Sequence, residues 1–126
     1  IVDDCYNANP VSMKASLEVL KEARGRRVAI LGDMGELGER EDQLHREVGA
    51  FAAECGIDKL TAVGPLCAHL VQGAREVSPG LEVSWYETPD SLLENLEKEV
   101  QKGDTVLVKA SHFMNFPRIV EKLQEL

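Results

Sequence analysis

The sequence contains no Gly-Lys dipeptide, and therefore no Walker-type phosphate loop. It also lacks His-Glu-x-x-His, Gly-x-Ser-x-Gly and any Cys/His ligand cluster, so P-loop, zinc-protease and serine-elbow chemistry are not carried by this segment. Cysteine is scarce. Cys5, Cys55 and Cys67 are odd in number and form no C-x-x-C pair, which suggests reduced thiols rather than a disulfide framework or a zinc site. No apolar run approaches the ~18 residues of a membrane span, and no signal peptide is visible. Positive charge is also in deficit: 14 Lys and Arg face 22 Asp and Glu, for a net charge of −8. That balance argues against a nucleic-acid partner, which needs clustered basic residues. Neither nucleic acid nor membrane is expected, and the chain shows no evident catalytic engine of its own.

What is present is an ordinary globular composition, 44% hydrophobic and 29% charged over 126 residues. That length indicates a single domain, residues 1–126, large enough to bury a core without staples. The chain opens on Ile1 rather than Met, with strand-like residues at once, and is expected to be a piece excised from a larger protein.

Two periodicities alternate along it. Short β-branched or apolar runs occur at Ile1-Val2, Val28–Leu31, Leu60–Val63, Leu81–Tyr86 and Thr105–Val108. Between them lie helical stripes: Met13, Leu17 and Leu20; Leu44, Val48, Phe51, Ala52 and Cys55; Leu66, Leu70, Val71 and Ala74; Leu92, Leu93, Leu96 and Val100; Phe116, Ile119, Val120 and Leu123. Thr88-Pro89 marks a helix start, while Gly25, Gly56 and Gly103 stand where helices should stop. Strand–helix repetition of this kind predicts an α/β fold with a largely parallel sheet covered on both faces. The alternating run Leu81–Tyr86 suits an edge strand.

Ligands of open parallel sheets bind beyond the carboxyl ends of the strands. Five such ends are predicted: Asp3–Asn9, Gly32–Gly38, Gly64-Pro65, Glu87-Thr88 and Lys109–His112. Gly64-Pro65 and Glu87-Thr88 read as plain turns. In the first end, a carboxylate can accept from a ribose diol, carboxamides can meet adenine edges, and Tyr6 offers a stacking face. Equally, Asp4 or Asn9 can simply cap the helix that Pro10 begins. The second end, Gly-Asp-Met-Gly-Glu-Leu-Gly, has the wrong spacing for a dinucleotide loop and is expected to be a glycine-rich turn feeding a capped helix. The fifth places Lys109, Ser111 and His112 together, which suits a carboxylate or phosphate oxygen. His45 and His69 fall near apolar stripes and are expected to be partly buried structural histidines.

Three segments together resemble a known family. Asp-Asp-x-Tyr-Asn-Ala-Asn-Pro-x-Ser at 3–12, Gly-Asp-Met-x-Glu-Leu-Gly at 32–38 with His45 and Gly49 downstream, and Val-Lys-Ala-Ser at 108–111 are similar to the C-terminal domain of the MurF-type Mur ligases. The likeness runs in order over essentially the whole chain.

It implies a three-layer α/β/α Rossmann-like sandwich of six strands, one antiparallel. Five are counted here, so the sixth is expected before Ile1. It further implies a part in an ATP- and Mg²⁺-dependent bacterial cytoplasmic enzyme that joins D-Ala-D-Ala to UDP-N-acetylmuramoyl-tripeptide during cell-wall synthesis. The N-terminal and central domains would then be the partners of this one. The central domain would hold most of the ATP and metal, and this domain would close over them.

Carried over by residue, Asp4 would meet the ribose and Tyr6 and Asn7 the adenine, with Asn9 also counted to the ATP side although the extra residue before Pro10 leaves its alignment to the shorter family motif open. Lys109, Ser111 and His112 would face the substrate carboxylate or transferred phosphoryl group, and Asp33 and Glu36 would order their loop. Many relatives have Gly and Arg where this chain has Ala110 and His112, so an Arg-type clamp is not carried over. A response-regulator receiver is the alternative, but it requires a phospho-accepting Asp where Gly64-Pro65 stands.

Overall fold

A computed structural model describes residues 9–111 and 116–125, together with the backbone of Val2 and Asp3. Five strands, β1 (Val2–Asp3), β2 (Arg27–Gly32), β3 (Lys59–Val63), β4 (Glu82–Tyr86) and β5 (Thr105–Lys109), alternate with five helices. The helices are α1 (Pro10–Lys21), α2 (Glu41–Glu54), α3 (Cys67–Val77), α4 (Pro89–Glu99) and α5 (Pro117–Glu125). The strands form one sheet in the order β1-β5-β2-β3-β4, and every pairing among the described residues is parallel. The receiver alternative fails on this order, because a flavodoxin-like sheet places its first strand inside. Here, among the described residues, β1 pairs only with β5, which stands between it and β2.

Successive residues of β2 explain why both sheet faces are covered. Val28 and Ile30 join a core with Leu92, Leu96, Ile119 and Val120 under α4 and α5. Ala29 and Leu31 join Met13, Leu17, Val48 and Leu70 under α1, α2 and α3. A strand with period-two side chains and apolar residues at every position must be sandwiched. The result is the predicted three-layer arrangement.

Helix boundaries follow local chemistry. Asn9 caps α1: its Oδ1 accepts the Ser12 N–H at 2.9 Å, and Ser12 Oγ accepts the Asn9 N–H at 3.1 Å. Thr88 Oγ1 accepts the Ser91 N–H at 3.2 Å, and Pro89 begins α4. Gly25, Gly56 and Gly103 all take positive φ after helices, as expected.

Two expectations need correction. The loop after β2 does not feed a side-chain-capped helix. It passes through a 3₁₀ turn at Gly38–Arg40, and Arg40 at the N-cap position of α2 makes no capping bond. Nor is Gly64-Pro65 a plain turn: Gly64 has φ +116, and a Cβ there would be driven into the Asp33 carboxylate.

β4 lies at the sheet edge, as its alternation predicted. Leu81 and Val83 pack on the core under α1, α2 and α3, whereas Trp85 is 44% exposed and donates its Nε1–H to Gly64 O at 2.8 Å.

Candidate functional site

The carboxyl ends of β1, β5 and β2 are neighbours at one edge of the sheet. Asp4, Tyr6, Asn7 and His112 lie outside the described residues. Asn9, Asp33, Glu36, Lys109 and Ser111 can be placed.

Asn9 is exposed, with its side-chain oxygen committed to the α1 cap. The helix-cap alternative is therefore present in the structure, and the side-chain amide is what Asn9 has left for a ligand.

Lys109 ends β5 and is only 1% exposed, so it is not the solvated lysine common at strand ends. By strand alternation it shares the face of Leu107, which α1 helps to cover. An ammonium this far from water requires polar company, and Lys109 is engaged by a neighbouring group.

Ser111 lies two residues further on and binds the loop after β2 twice. Its N–H donates to Asp33 O at 3.1 Å, and its Oγ accepts the Gly35 N–H at 2.6 Å. Having accepted there, the hydroxyl retains its proton for donation, and no acceptor for it is present among the described residues. A hydroxyl so arranged suits an anionic oxygen arriving from outside.

Asp33 ties the middle of the edge together. Its carboxylate is buried and accepts the Cys67 N–H at 2.9 Å, holding the first turn of α3 as an N-cap residue would. Glu36, by contrast, is exposed, and it turns the loop through its backbone at φ 59.

His45 is fully buried rather than partly so. Its Nδ1 lies 2.7 Å from Glu41 O and its Nε2 accepts the Met34 N–H at 2.9 Å. His69 is half exposed, with Nε2 3.3 Å from Asp42 Oδ1.

Asp33, His45 and Cys67 present ligand atoms within 4.8 Å of one another, all buried. By residue type this trio could ligate zinc. Each donor is already occupied: Asp33 by the Cys67 N–H, His45 by the Met34 N–H, and Cys67 Sγ by Leu31 O at 3.7 Å. Burial, and then the neighbouring Asp33 carboxylate, push the Cys67 thiol well above its ordinary range, which opposes the thiolate a metal needs. The trio is a hydrogen-bonded knot. Its bonds span 11 and 34 residues, so no local pattern in the sequence pairs the three residues.

The surface grooves lie elsewhere. One of about 510 Å³ is lined by Glu18, Lys21, Glu22, Phe51, Glu54 and Cys55. Another, of about 360 Å³, lies between α4 and α5 around Leu93, Arg118 and Lys122. Neither includes a described residue of the carboxyl edge.

An open parallel α/β domain whose carboxyl edge is ordered by the Asp33–Ser111 and Asp33–Cys67 contacts is of the Rossmann-like class. Residues 1–112 match the family described as "Mur ligase, glutamate ligase domain". The chain belongs to the Mur ligase family.

It is 38% identical over 127 residues to the UDP-N-acetylmuramoyl-tripeptide–D-alanyl-D-alanine ligase of Bacillus subtilis (strain 168), covering 99% of this chain and 28% of that protein. Against the ligase of the same name in Escherichia coli (strain K12), identity is 35%, over 99% of this chain and 27% of that protein. Among solved structures, crystal structure II of MurF from Acinetobacter baumannii superposes with a TM-score of 0.87 at 33% identity, covering 98% of this chain and 28% of that one. MurF ligase from Thermotoga maritima in complex with ADP gives 0.77 at 29% identity, over 98% of this chain and 27% of that one. The chain thus spans little more than a quarter of the relatives it matches.

Proposed function

We propose that this chain is the C-terminal domain of an ATP-dependent ligase that adds D-Ala-D-Ala to UDP-N-acetylmuramoyl-tripeptide in peptidoglycan precursor synthesis. The observation that supports this reading is the strand order: β1, β5 and β2, which lead into the three family-like segments, are neighbours with their carboxyl ends at one edge. Two relatives of 38% and 35% identity bear the name of that activity, and one structural neighbour is described with ADP.

On this reading the edge is half a site that the remaining domains complete on closure. Asp4, with Tyr6, Asn7 and the free amide of Asn9, would serve the nucleoside side of ATP. Lys109 places positive charge behind the edge, and Ser111 offers a hydroxyl proton to the substrate carboxylate or the transferred phosphoryl group. His112 would stand at the rim. Asp33 holds the loop between these segments, and Glu36 turns it.

Mg²⁺ requires several oxygen ligands at nearly octahedral geometry. Among the described residues of this edge, the candidates are Asp33, already committed to Cys67, and the exposed Glu36. The ligands for Mg²⁺ would therefore come mainly from the central domain. A nucleotide-activated precursor and ATP would place the work in the bacterial cytoplasm, and no described helix is long and apolar enough to cross a membrane.

The test is a comparison of the isolated domain with the intact ligase. The domain alone should fold and release no ADP in the presence of all three substrates. In the intact enzyme, Asp4→Ala should raise KM for ATP about tenfold, the equivalent of one hydrogen bond to a charged group. An active fragment, or an intact enzyme indifferent to Asp4→Ala, would refute the assignment.

A further inference from the structure

One buried titratable group at the edge is not used by any ligand contact proposed above. His45 has both ring nitrogens engaged: Nδ1 faces Glu41 O at 2.7 Å, and Nε2 receives the Met34 N–H at 2.9 Å. A carbonyl on one side and an N–H on the other are both satisfied only by the neutral ring protonated at Nδ1. The ring therefore works as a fixed strut from the first turn of α2 to the loop after β2.

The peptide it reaches is the one that holds Ser111. Met34 N–H and Asp33 C=O belong to a single peptide unit, which resonance keeps planar. His45 takes the N–H end of that plane. Ser111 N–H takes the carbonyl end at 3.1 Å. The next N–H, that of Gly35, then points at Ser111 Oγ at 2.6 Å and decides which way its proton is left to point.

We infer that His45 is a positioning residue. By pinning the Asp33–Met34 peptide plane, it sets the place and the hydroxyl direction of Ser111. The inference deepens the proposed function and rests on Ser111 meeting an anionic oxygen of the substrate.

The experiment uses the intact ligase and compares Ser111→Ala, His45→Leu, the double variant and His45→Gln. Each is assayed for kcat and for KM with ATP, D-Ala-D-Ala and UDP-N-acetylmuramoyl-tripeptide, with thermal melts run alongside. Ser111→Ala should raise one KM about tenfold, as loss of a hydrogen bond to a charged group does. His45→Leu should raise that same KM, and the double variant should add little more. His45→Gln, whose carboxamide oxygen can accept the Met34 N–H, should recover most of the loss.

If His45→Leu lowers the melting temperature while leaving that KM alone, or if the two effects simply add, His45 is structural only and the inference is overturned. If Ser111→Ala itself moves no KM, the ligand role of Ser111 is what has failed, and the inference falls with it. His45→Asn, polar but too short to reach Met34, replaces His45→Leu if the latter does not fold.

Discussion

Removing Glu99 should be among the most damaging single changes in this domain. Glu99 ends α4 and is only 4% exposed. Its Oε2 lies 2.6 Å from Lys59 Nζ and accepts Thr61 Oγ1–H at 3.2 Å, and its Oε1 accepts the Tyr86 hydroxyl at 2.5 Å. Lys59 is itself 5% exposed, and its other partner, Glu82 at 3.1 Å, has a side chain that is 56% exposed. Glu99→Ala would leave a buried ammonium and two hydroxyls short of an acceptor. Breaking a buried pair from one side costs about 3–5 kcal/mol, a large part of the roughly 5–15 kcal/mol of a typical domain. Urea unfolding should show that loss as a shifted midpoint at unchanged slope.

Lys59→Met combined with Glu99→Leu should cost much less than the two single changes summed, because no charge is then stranded. A loss below about 1 kcal/mol in Glu99→Ala, or strict additivity in the double variant, would refute this account of the network.

The pH dependence has a definite sign. Burial alone would raise the Glu99 carboxyl, but hydrogen bonds from Lys59 and Tyr86 outweigh it and hold the group below its ordinary value. A depressed carboxylate contributes stability above the unfolded value of about 4.3, and that stability is lost as pH falls through the folded value. Glu99→Gln should lack this acid-sensitive component. Burial, and then the Glu99 hydrogen bond, push the Tyr86 hydroxyl up to about 12. Its contribution is present below the ordinary value of about 10 and is lost as pH rises through the folded value.

Two further outcomes follow from close contacts and caps. Gly49 and Gly73 let α2 and α3 cross backbone to backbone, and a Cβ on Gly73 would meet the Arg46 carbonyl oxygen, just as one on Gly49 would meet that of Leu70. Gly73→Ala should therefore cost at least the upper part of the about 1–3 kcal/mol typical of overpacking, read as a lowered urea midpoint. Asn9→Ala removes the α1 capping box and should cost about 1 kcal/mol, with Asn9→Asp retaining most of it in the same assay.

The layered fold was legible because its signals are local. Val28–Leu31 reads as a doubly covered strand, Thr88-Pro89 as a helix start, and Met13, Leu17 and Leu20 as one face. The site was legible only as a set of segments. Which strand ends are neighbours depends on the crossover that puts β5 between β1 and β2, and no local pattern encodes it. The buried polar contacts were illegible for the same reason: Glu99 meets Thr61 across 38 residues and Asp33 meets Cys67 across 34. One cue was available. Glu99 lies seven residues after Leu92 and three after Leu96, on the apolar face of its helix. His45 likewise shares a face with Val48 and Ala52. A polar side chain in an apolar stripe calls for a buried partner.

The buried polar side chains divide by location into two groups with different consequences. Asp33, His45 and Lys109 lie at or under the carboxyl edge, while Lys59, Thr61 and Glu99 bind α4 to β3 on the opposite core. The second group joins elements that already pack together, so cutting it should lower stability throughout the domain. The first group orients loop backbone whose apolar anchors are Met34 and Leu37, since Gly35 through Arg40 are all at least partly exposed. Such a loop depends on directed bonds: Met34 N–H to His45, Cys67 N–H to Asp33, and the two bonds that join it to Ser111. Changes to Asp33 or His45 should therefore alter ligand contact out of proportion to stability, and changes to Glu99 should do the reverse. A variant pair that behaved the other way round would show that the edge is held by packing rather than by its hydrogen bonds.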